Sequence, residues 1–277
     1  MGIGFISFWI ASLGLLINTF ALTNSLIVGI FCVLTILLIT LISISNGEDL
    51  KSKSLHLSSP KVDEQINLVF ISDTHLGSNS KTHLEKIYSK IEKIKFDLLL
   101  IGGDFIDSSA FDLKGLEVLK KLNKPILFVS GNHEYYIKDH EEKLSRLSDY
   151  GLTFLDNESF KFKGINFIGI SDNQSIGDQK LVTSKLIKKD LFNLVIVHKP
   201  SLWEFVYKNI DLMLSGHTHN GQIFPFNFFV RLQFKYIYGL YQKLNSKLYV
   251  SSGSGCWGPR MRLGTTNEII QILISKA

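Results

Sequence analysis

Five apolar runs in this 277-residue chain all end in the same kind of residue, and no other feature limits the fold as strongly. NLVFIS (67–72) runs into Asp-Thr-His, DLLLIG (97–102) into Gly-Asp-Phe-Ile-Asp, and ILFVS (126–130) into Gly-Asn-His-Glu. LVIV (194–197) runs into His-Lys-Pro, and DLMLS (211–215) into Gly-His-Thr-His. Short Leu-rich or β-branched blocks of this kind read as strands buried on both faces. Amphipathic stretches of helical length lie between the early runs, at about 82–95, 113–123 and 139–149. Further runs at 165–170, 247–251 and 268–274 add strands. The alternation predicts an α/β layered sheet, with a second sheet from the strand-rich later half packed against the first. In such folds, functional groups collect at the carboxyl ends of strands.

The donors at those ends are Asp73, His75, Asp104, Asn132, His198, His217 and His219. Any one has a bland reading as a capping or turn residue. Their ordered co-occurrence at five strand ends does not. If the backbone there is extended, Asp73 lies beside His75 and His217 beside His219, because residues i and i+2 share a face. Two carboxylates, an amide oxygen and four imidazoles, with no thiolate, suit Mn²⁺, Fe, Zn²⁺ or Mg²⁺. Seven donors exceed one tetrahedral site and fit two divalent ions sharing a carboxylate. Two ions about 3.5–4 Å apart are the usual clamp for displacement at phosphorus.

The first 46 residues form a separate object. Ile3 to Ile44 carries neither charge nor proline and has a polar break at Thr23-Asn24-Ser25. A membrane-crossing helix needs about 20 apolar residues, so two spans are expected, about Ile3–Leu22 and Leu26–Ile44, with a single long span as the alternative. Residues 1–46 thus read as a transmembrane anchor, 47–65 as a polar juxtamembrane linker and 66–277 as the catalytic domain. Lys51, Lys53 and Lys61 follow the second span, which places the catalytic domain in the cytoplasm by the positive-inside rule. The chain has 30 Lys and Arg against 25 Asp and Glu, and every charged side chain lies beyond Asn46. A net charge of +5, mixed in sign, suits anionic surfaces or substrates and is not a nucleic-acid footprint. Cys32 and Cys256 are the two cysteines, so a disulfide framework is not expected.

The series Asp73-x-His75, Gly103-Asp104-x-x-Asp107, Gly131-Asn132-His133-Glu134, His198 and Gly216-His217-x-His219 resembles the calcineurin-like metallophosphoesterases over about residues 67 to 275. The resemblance implies an α/β fold, a metallophosphoesterase-type β-sandwich flanked by helices, here preceded by the transmembrane helical hairpin. It implies one metal site from Asp73, His75, Asp104 and His219, and a second from Asp104, Asn132, His198 and His217, with Asp104 bridging. His133 matches the family's non-ligand histidine at the leaving-group oxygen, and Asp107 the carboxylate that orients it; a metal-bridging hydroxide attacks in line. The family's protein phosphatases carry arginines in GDYVDRG and RGNHE, where this chain has GDFIDSS (103–109) and SGNHE (130–134). That argues for a phosphodiester or pyrophosphate bond, with Mn²⁺ as the leading metal.

The tail LYVSSGSGCWGPRMRLGTTNEI (248–269) is similar to the membrane-anchored bacterial YkuE/YaeI-like branch, which implies the bacterial inner membrane as location. That branch reads GHTHGGQ where this chain has Asn220, a residue that tolerates left-handed backbone. QIFPFNFFVRLQFKYIYGLYQ (222–242) is rich in Phe and Tyr, and reads either as core or as a membrane-facing lip for a lipid-linked substrate. UDP-2,3-diacylglucosamine is one substrate suggested by related members. Arg260 and Arg262 are candidates for substrate phosphate. The expected partners are the bilayer and a phosphodiester or lipid-linked small molecule, with no specific nucleic acid. The alternatives are a non-catalytic scaffold of the same fold at the membrane, or a nucleotide or nucleic-acid phosphodiesterase.

Overall fold

The computed structural model describes residues 1–21 and 24–277. Two helices open it, α1 (Gly2–Ala21) and α2 (Ser25–Glu48), both long and apolar enough to cross a membrane, with mean hydropathy 1.8 and 3.0. Leu22 and Thr23, where part of the tight turn was expected, lie outside the described residues. Asn24 caps α2, its side chain accepting from the amides of Leu26 and Ile27.

In chain order there follow β1 (Leu50–Ser59), β2 (Ile66–Ile71), α3 (Lys81–Ile91), β3 (Leu98–Gly102), α4 (Glu117–Lys120), β4 (Ile126–Val129), α5 (His140–Ser145) and β5 (Leu152–Phe154). The second half holds β6 (Glu158–Phe162), β7 (Ile165–Ile170), α6 (Ile176–Leu186), β8 (Phe192–Val197), α7 (Trp203–Val206), β9 (Leu212–Ser215), α8 (Phe226–Gln233), β10 (Gly239–Lys243), β11 (Ser246–Val250) and β12 (Asn267–Lys276). One sheet has the order β1-β12-β2-β3-β4-β5 and the other β10-β11-β9-β8-β7-β6. The expected helices at 113–123 and 139–149 are broken into a 3-10 turn and a short α-helix each.

Strand periodicity divides the apolar residues between two layers. From β2 and β3, Leu68, Phe70, Leu98 and Leu100 point to the inter-sheet core and meet Leu194, Ile196, Leu212 and Leu214 of the other sheet. Their alternates Val69, Ile71, Leu99 and Ile101 face Leu84, Ile87 and Ile91 of α3. Trp203 and its neighbours cover the outer face of the second sheet. Burial of each such side chain contributes about 1.5–3 kcal/mol, and both sheets are thereby clamped with their parallel strands ending on one side.

The segment 47–65 is not a linker. Its residues 50–59 form β1, which pairs in parallel with β12 from Leu50↔Asn267 to Ser59↔Lys276. It reads as polar because it is an edge strand: Leu50, Leu55, Leu57 and Ser59 are buried, while Lys51, Ser52, Ser54 and His56 face solvent. The hairpin also docks directly on the catalytic domain. Phe5, Ile6, Ile10 and Ile39 pack with Ile223, Met261 and Leu263. The Arg262 amide donates to Ser43 O at 2.8 Å, and Asn267 Nδ2 donates to Gly47 O at 2.7 Å.

Candidate metal centre

The five polar strand ends converge. Asp73, His75 and His219 form one group whose donor atoms lie within 4.8 Å of one another, and Asp104, His198 and His217 form another; His75, Asp104 and His133 link them. The loops are stitched by backbone bonds: Asp73 N donates to Gly103 O at 2.9 Å, Gly216 N to His198 O at 2.9 Å, and Ser254 N to Ser72 O at 2.7 Å. Asp73 also accepts from the His217 amide at 3.0 and 3.1 Å.

The residues leave their strands differently from the extended reading. Asp73 (φ 53°), His75 (φ 51°), Asp104 (φ 51°), His217 (φ 72°) and His219 (φ 48°) all take left-handed backbone. Each costs about 1–2 kcal/mol relative to right-handed conformations, and the hydrogen bonds above hold it. The side chains meet because the chain turns sharply at each strand end, not because a strand alternates. Asn220 (φ 52°) takes the left-handed turn expected of it. Space is tight around the carboxylates: a Cβ on Gly216 would collide with Asp73 Oδ2, and one on Gly131 with Asp104 Oδ1.

Two pairs of imidazole nitrogens face each other, His75 Nε2 and His219 Nε2 at 3.1 Å, and His217 Nδ1 and His198 Nε2 at 3.2 Å. Nitrogens bonded at about 2.0–2.1 Å to one cation take roughly this separation. Asp104 Oδ2 lies 3.0 Å from His198 Nε2 and 3.9 Å from His75 Nε2, between the two pairs. Asn132 Oδ1 is buried with no hydrogen-bond partner. Converging lone pairs and an orphaned amide oxygen fit two divalent cations.

The groups behind these donors set their orientation. His198 Nδ1 donates to Gly102 O at 2.9 Å, which leaves Nε2 free to ligate. Burial acts to lower the pKa of His198, but Asp104 outweighs it and the value is raised to about 10. His217 is lowered to about 3 by burial and then by the charge of His198. Burial raises Asp73 although nearby histidines oppose it, whereas the histidines around Asp104 overcome its burial and lower it.

Two expected roles, those of Asp107 and Arg262, are corrected. Asp107 does not face His133; its Oδ2 lies 3.3 Å from Nδ1 of His75, and its Oδ1 accepts from the Ser78 amide at 2.9 Å. The turn from Gly103 to Ser108 folds back over Gly77, which brings Asp107 behind His75. Arg262 does not reach substrate. Its side chain is fully buried and donates to Ser252 O, Gly255 O, His219 O and Asn267 Oδ1, with Nη2 3.3 Å from His219 Nδ1. Every direction its planar fork offers is taken up inside the protein. Arg260 is exposed at the end of α2, where its charge, after that of Lys86, helps lower the pKa of Glu48.

Glu134, the last residue of Gly131-Asn132-His133-Glu134, has a structural role that the motif does not announce. It is fully buried and accepts from the amides of Asp104, Phe105, Ile106 and Gly131 at 3.0, 2.6, 2.9 and 2.7 Å, joining two site loops. Burial and the Asp104 charge push its pKa up to about 7, against those donors. Its signal was an acidic residue directly after the His133 position, but the four amides it meets are set by tertiary structure. His133 is half-buried, with Nε2 4.0 Å from Asp104 Oδ2, and its ring lies between Tyr136 and Trp257 at 5.2 and 6.1 Å. Asn132, His133 and His217 are only partly buried, whereas Asp73, His75, Asp104, His198 and His219 are buried. Those three therefore form the most exposed edge of the centre.

Residues 66–221 match the profile of the calcineurin-like phosphoesterases. The chain belongs to this family, whose members are metal-dependent phosphoesterases. An uncharacterized metallophosphoesterase of Campylobacter jejuni is 34% identical over 86% of this chain and 67% of its own length. A second, of Helicobacter pylori, is 34% identical over 79% of this chain and 62% of its own length. A transmembrane protein with a metallophosphoesterase domain from Danio rerio is 29% identical over 78% of this chain. The chain spans 55% of that protein's length, and about two thirds or less of all three.

Proposed function

We propose that the protein is a membrane-anchored dinuclear phosphohydrolase that cleaves a phosphodiester or pyrophosphate bond of a lipid-linked substrate. The observation that carries this reading is the pair of facing imidazole couples, at 3.1 and 3.2 Å, arranged around one shared carboxylate, Asp104. Two divalent ions held there, with Mn²⁺ the leading choice, withdraw charge from phosphoryl oxygens and activate water as a nucleophile. Asp73, His75, Asp104 and His219 would hold one, and Asp104, Asn132, His198 and His217 the other.

The chain's own groups do the rest. His133 stands at the exposed edge of the centre and offers its ring nitrogen to the leaving-group oxygen. Burial lowers its pKa although Asp104 opposes this, so a proton it carries is given up more readily. Gly102 O holds the His198 ring aimed at its ion, and the Asp107 carboxylate, 3.3 Å behind His75 Nδ1, favours a proton on that nitrogen and leaves Nε2 to ligate. The one arginine beside the centre, Arg262, has its donors engaged with the protein, so no guanidinium is left there to neutralise a phosphomonoester dianion. That supports a diester or pyrophosphate, which carries less charge on its phosphorus. Two helices able to cross a bilayer and the transmembrane relative support a place at a membrane, and Lys51 and Lys53 a cytoplasmic face.

The full chain in detergent should hydrolyse bis-p-nitrophenyl phosphate with Mn²⁺ and lose that activity on chelation; no turnover with any divalent ion would sink the proposal. His133→Gln should retain metal and lose on the order of 10²–10⁴-fold in kcat with an alkoxide leaving group. The loss should be smaller with p-nitrophenolate, which needs little protonation. Equal losses for both leaving groups would remove the proton role from His133.

A further inference from the structure

The hairpin reaches the metal centre itself. A cleft of about 270 Å³ opens beside His219 and is walled by Met1, Gly2 and Phe5 of the chain's start, and by Phe226, Trp257 and Pro259. Phe5 and Phe226 meet edge to face at 6.1 Å. Along the same two helices runs a larger groove of about 620 Å³, lined by residues that include Ile6, Trp9, Leu13, Leu16, Phe228 and Phe229. Ser12 is the one hydroxyl-bearing residue among those lining it, and none is charged. Helix α8 buries none of its side chains fully, and Phe228, Phe229 and Leu232 are 57, 49 and 87% exposed. A row of exposed apolar side chains of this kind marks an interaction surface, and it lies beside helices that suit a bilayer.

These observations together point to one occupant. The groove is hydrocarbon-like along the hairpin, and it adjoins the cleft that holds a metal-ligating histidine. Ile6, Phe224 and Pro225 line the one, and their chain neighbours Phe5, Ile223 and Phe226 the other. Trp257 lines the cleft with its ring 6.1 Å from that of His133. A long hydrocarbon chain bearing a phosphoryl group satisfies both ends. We propose that the groove between α1 and α8 is the acyl-chain subsite, so that the anchor supplies one wall of the substrate site. The chain of a membrane lipid phosphoester would lie along Trp9, Leu13, Phe228 and Phe229, with its phosphoryl group towards the cleft beside His219. This rests on the lipid-linked reading above and adds where the tail is held.

The full chain in phosphatidylcholine nanodiscs, supplied with Mn²⁺, tests the idea without turnover. Hexadecyl phosphate carrying a mid-chain diazirine is photolysed in place and its adducts are mapped by mass spectrometry. The expected adducts fall on Phe5, Ile6 or Phe226 to Phe229 and are removed by excess unlabelled hexadecyl phosphate. Adducts confined to outward residues such as Phe8, Leu15 and Leu34, and unaffected by competitor, overturn the proposal.

Kinetics then separate the two levels. The quantity read is the ratio of kcat/KM for hexadecyl p-nitrophenyl phosphate over its methyl analogue, in which loss of fold or metal cancels. Partition into the bilayer raises this ratio in every variant alike, so the groove's share is the part a variant removes. Ser12→Phe, which fills the groove, and Phe226→Ala, which opens its inner end, should lower the ratio roughly tenfold. A high ratio that survives in both variants overturns the groove and leaves the lipid reading standing. A wild-type ratio near one overturns both.

Discussion

The two halves of the metal centre each set two histidines beside the shared Asp104, one half adding Asp73 and the other Asn132. Their histidines are backed by different chemistry. His198 rests on a neutral dipole, the carbonyl of Gly102 at 2.9 Å. His217 is flanked by the ring of Phe234 at 5.1 Å. Opposite them, His75 has a carboxylate behind it, Asp107 at 3.3 Å, while His219 has a guanidinium, Arg262 at 3.3 Å. A carboxylate makes its histidine a more basic ligand, whereas a guanidinium offers only donors to a nitrogen that must hold a proton when the ring ligates through Nε2. One half is therefore held by neutral contacts, and the other balances a strengthened ligand against a weakened one. The lesson is that two ions in one site need not be bound equally.

The largest expected effect removes the comparison altogether. Asp104→Asn takes away the shared carboxylate, so both ions and all hydrolysis should go together; elemental analysis of the purified variant showing one retained ion would mean that Asp104 belongs to one half only. Asp107→Asn should be smaller and one-sided. It should weaken one of two binding steps about 10–100-fold in calorimetric titration and leave the other in place. Equal weakening of both would show that Asp107 serves the whole centre.

The smallest effect is in pH dependence. The value for His198 is raised from 6.5 to about 10, against its burial and chiefly by Asp104, so its contribution to the stability of the metal-free chain is complete below 6.5 and lost as pH rises towards 10. Glu134 is raised from 4.5 to about 7 by burial, so its contribution is complete below 4.5 and lost as pH rises towards 7. The value for His217 is lowered from 6.5 to about 3 by burial, so its contribution is complete above 6.5 and lost as pH falls towards 3. The metal-free chain should have its highest Tm at mildly acidic pH, between the 4.5 at which Glu134 begins to lose its contribution and the 6.5 at which His198 does. Loading with Mn²⁺ should extend the alkaline side by a few degrees, because ligation takes the neutral form of His198. Superimposable Tm profiles with and without metal would place the ions elsewhere.

Much of this was legible because strand ends leave a linear record. An apolar block followed by Asp, His or Asn marks both the strand and the residue it delivers, and the five blocks from NLVFIS to DLMLS are β2, β3, β4, β8 and β9. What escaped depends on partners distant in sequence. LKSKSLHLSS is polar enough to pass for a tether until β12 lies beside it. Asp107 belongs behind His75 only because its loop folds back, and no pattern in GPRMR distinguishes a buried Arg262 from an exposed Arg260. The left-handed backbone at Asp73, His75, Asp104, His217 and His219 is equally silent, since Asp and His occupy it without the glycine that would announce it.

One peptide unit, at Asp49, separates the end of α2 from the start of β1. With Gly47 O bonded to Asn267, and a Cβ at Gly47 excluded by the Arg260 carbonyl at 2.6 Å, that junction has no slack. A catalytic head on a flexible tether sweeps a hemisphere and samples the solution above its membrane. This head, with its hairpin seated in a bilayer, stays at one height and one tilt. If the substrate is lipid-linked as proposed, the search would be two-dimensional, and turnover should follow the surface density of substrate in one leaflet rather than the bulk concentration.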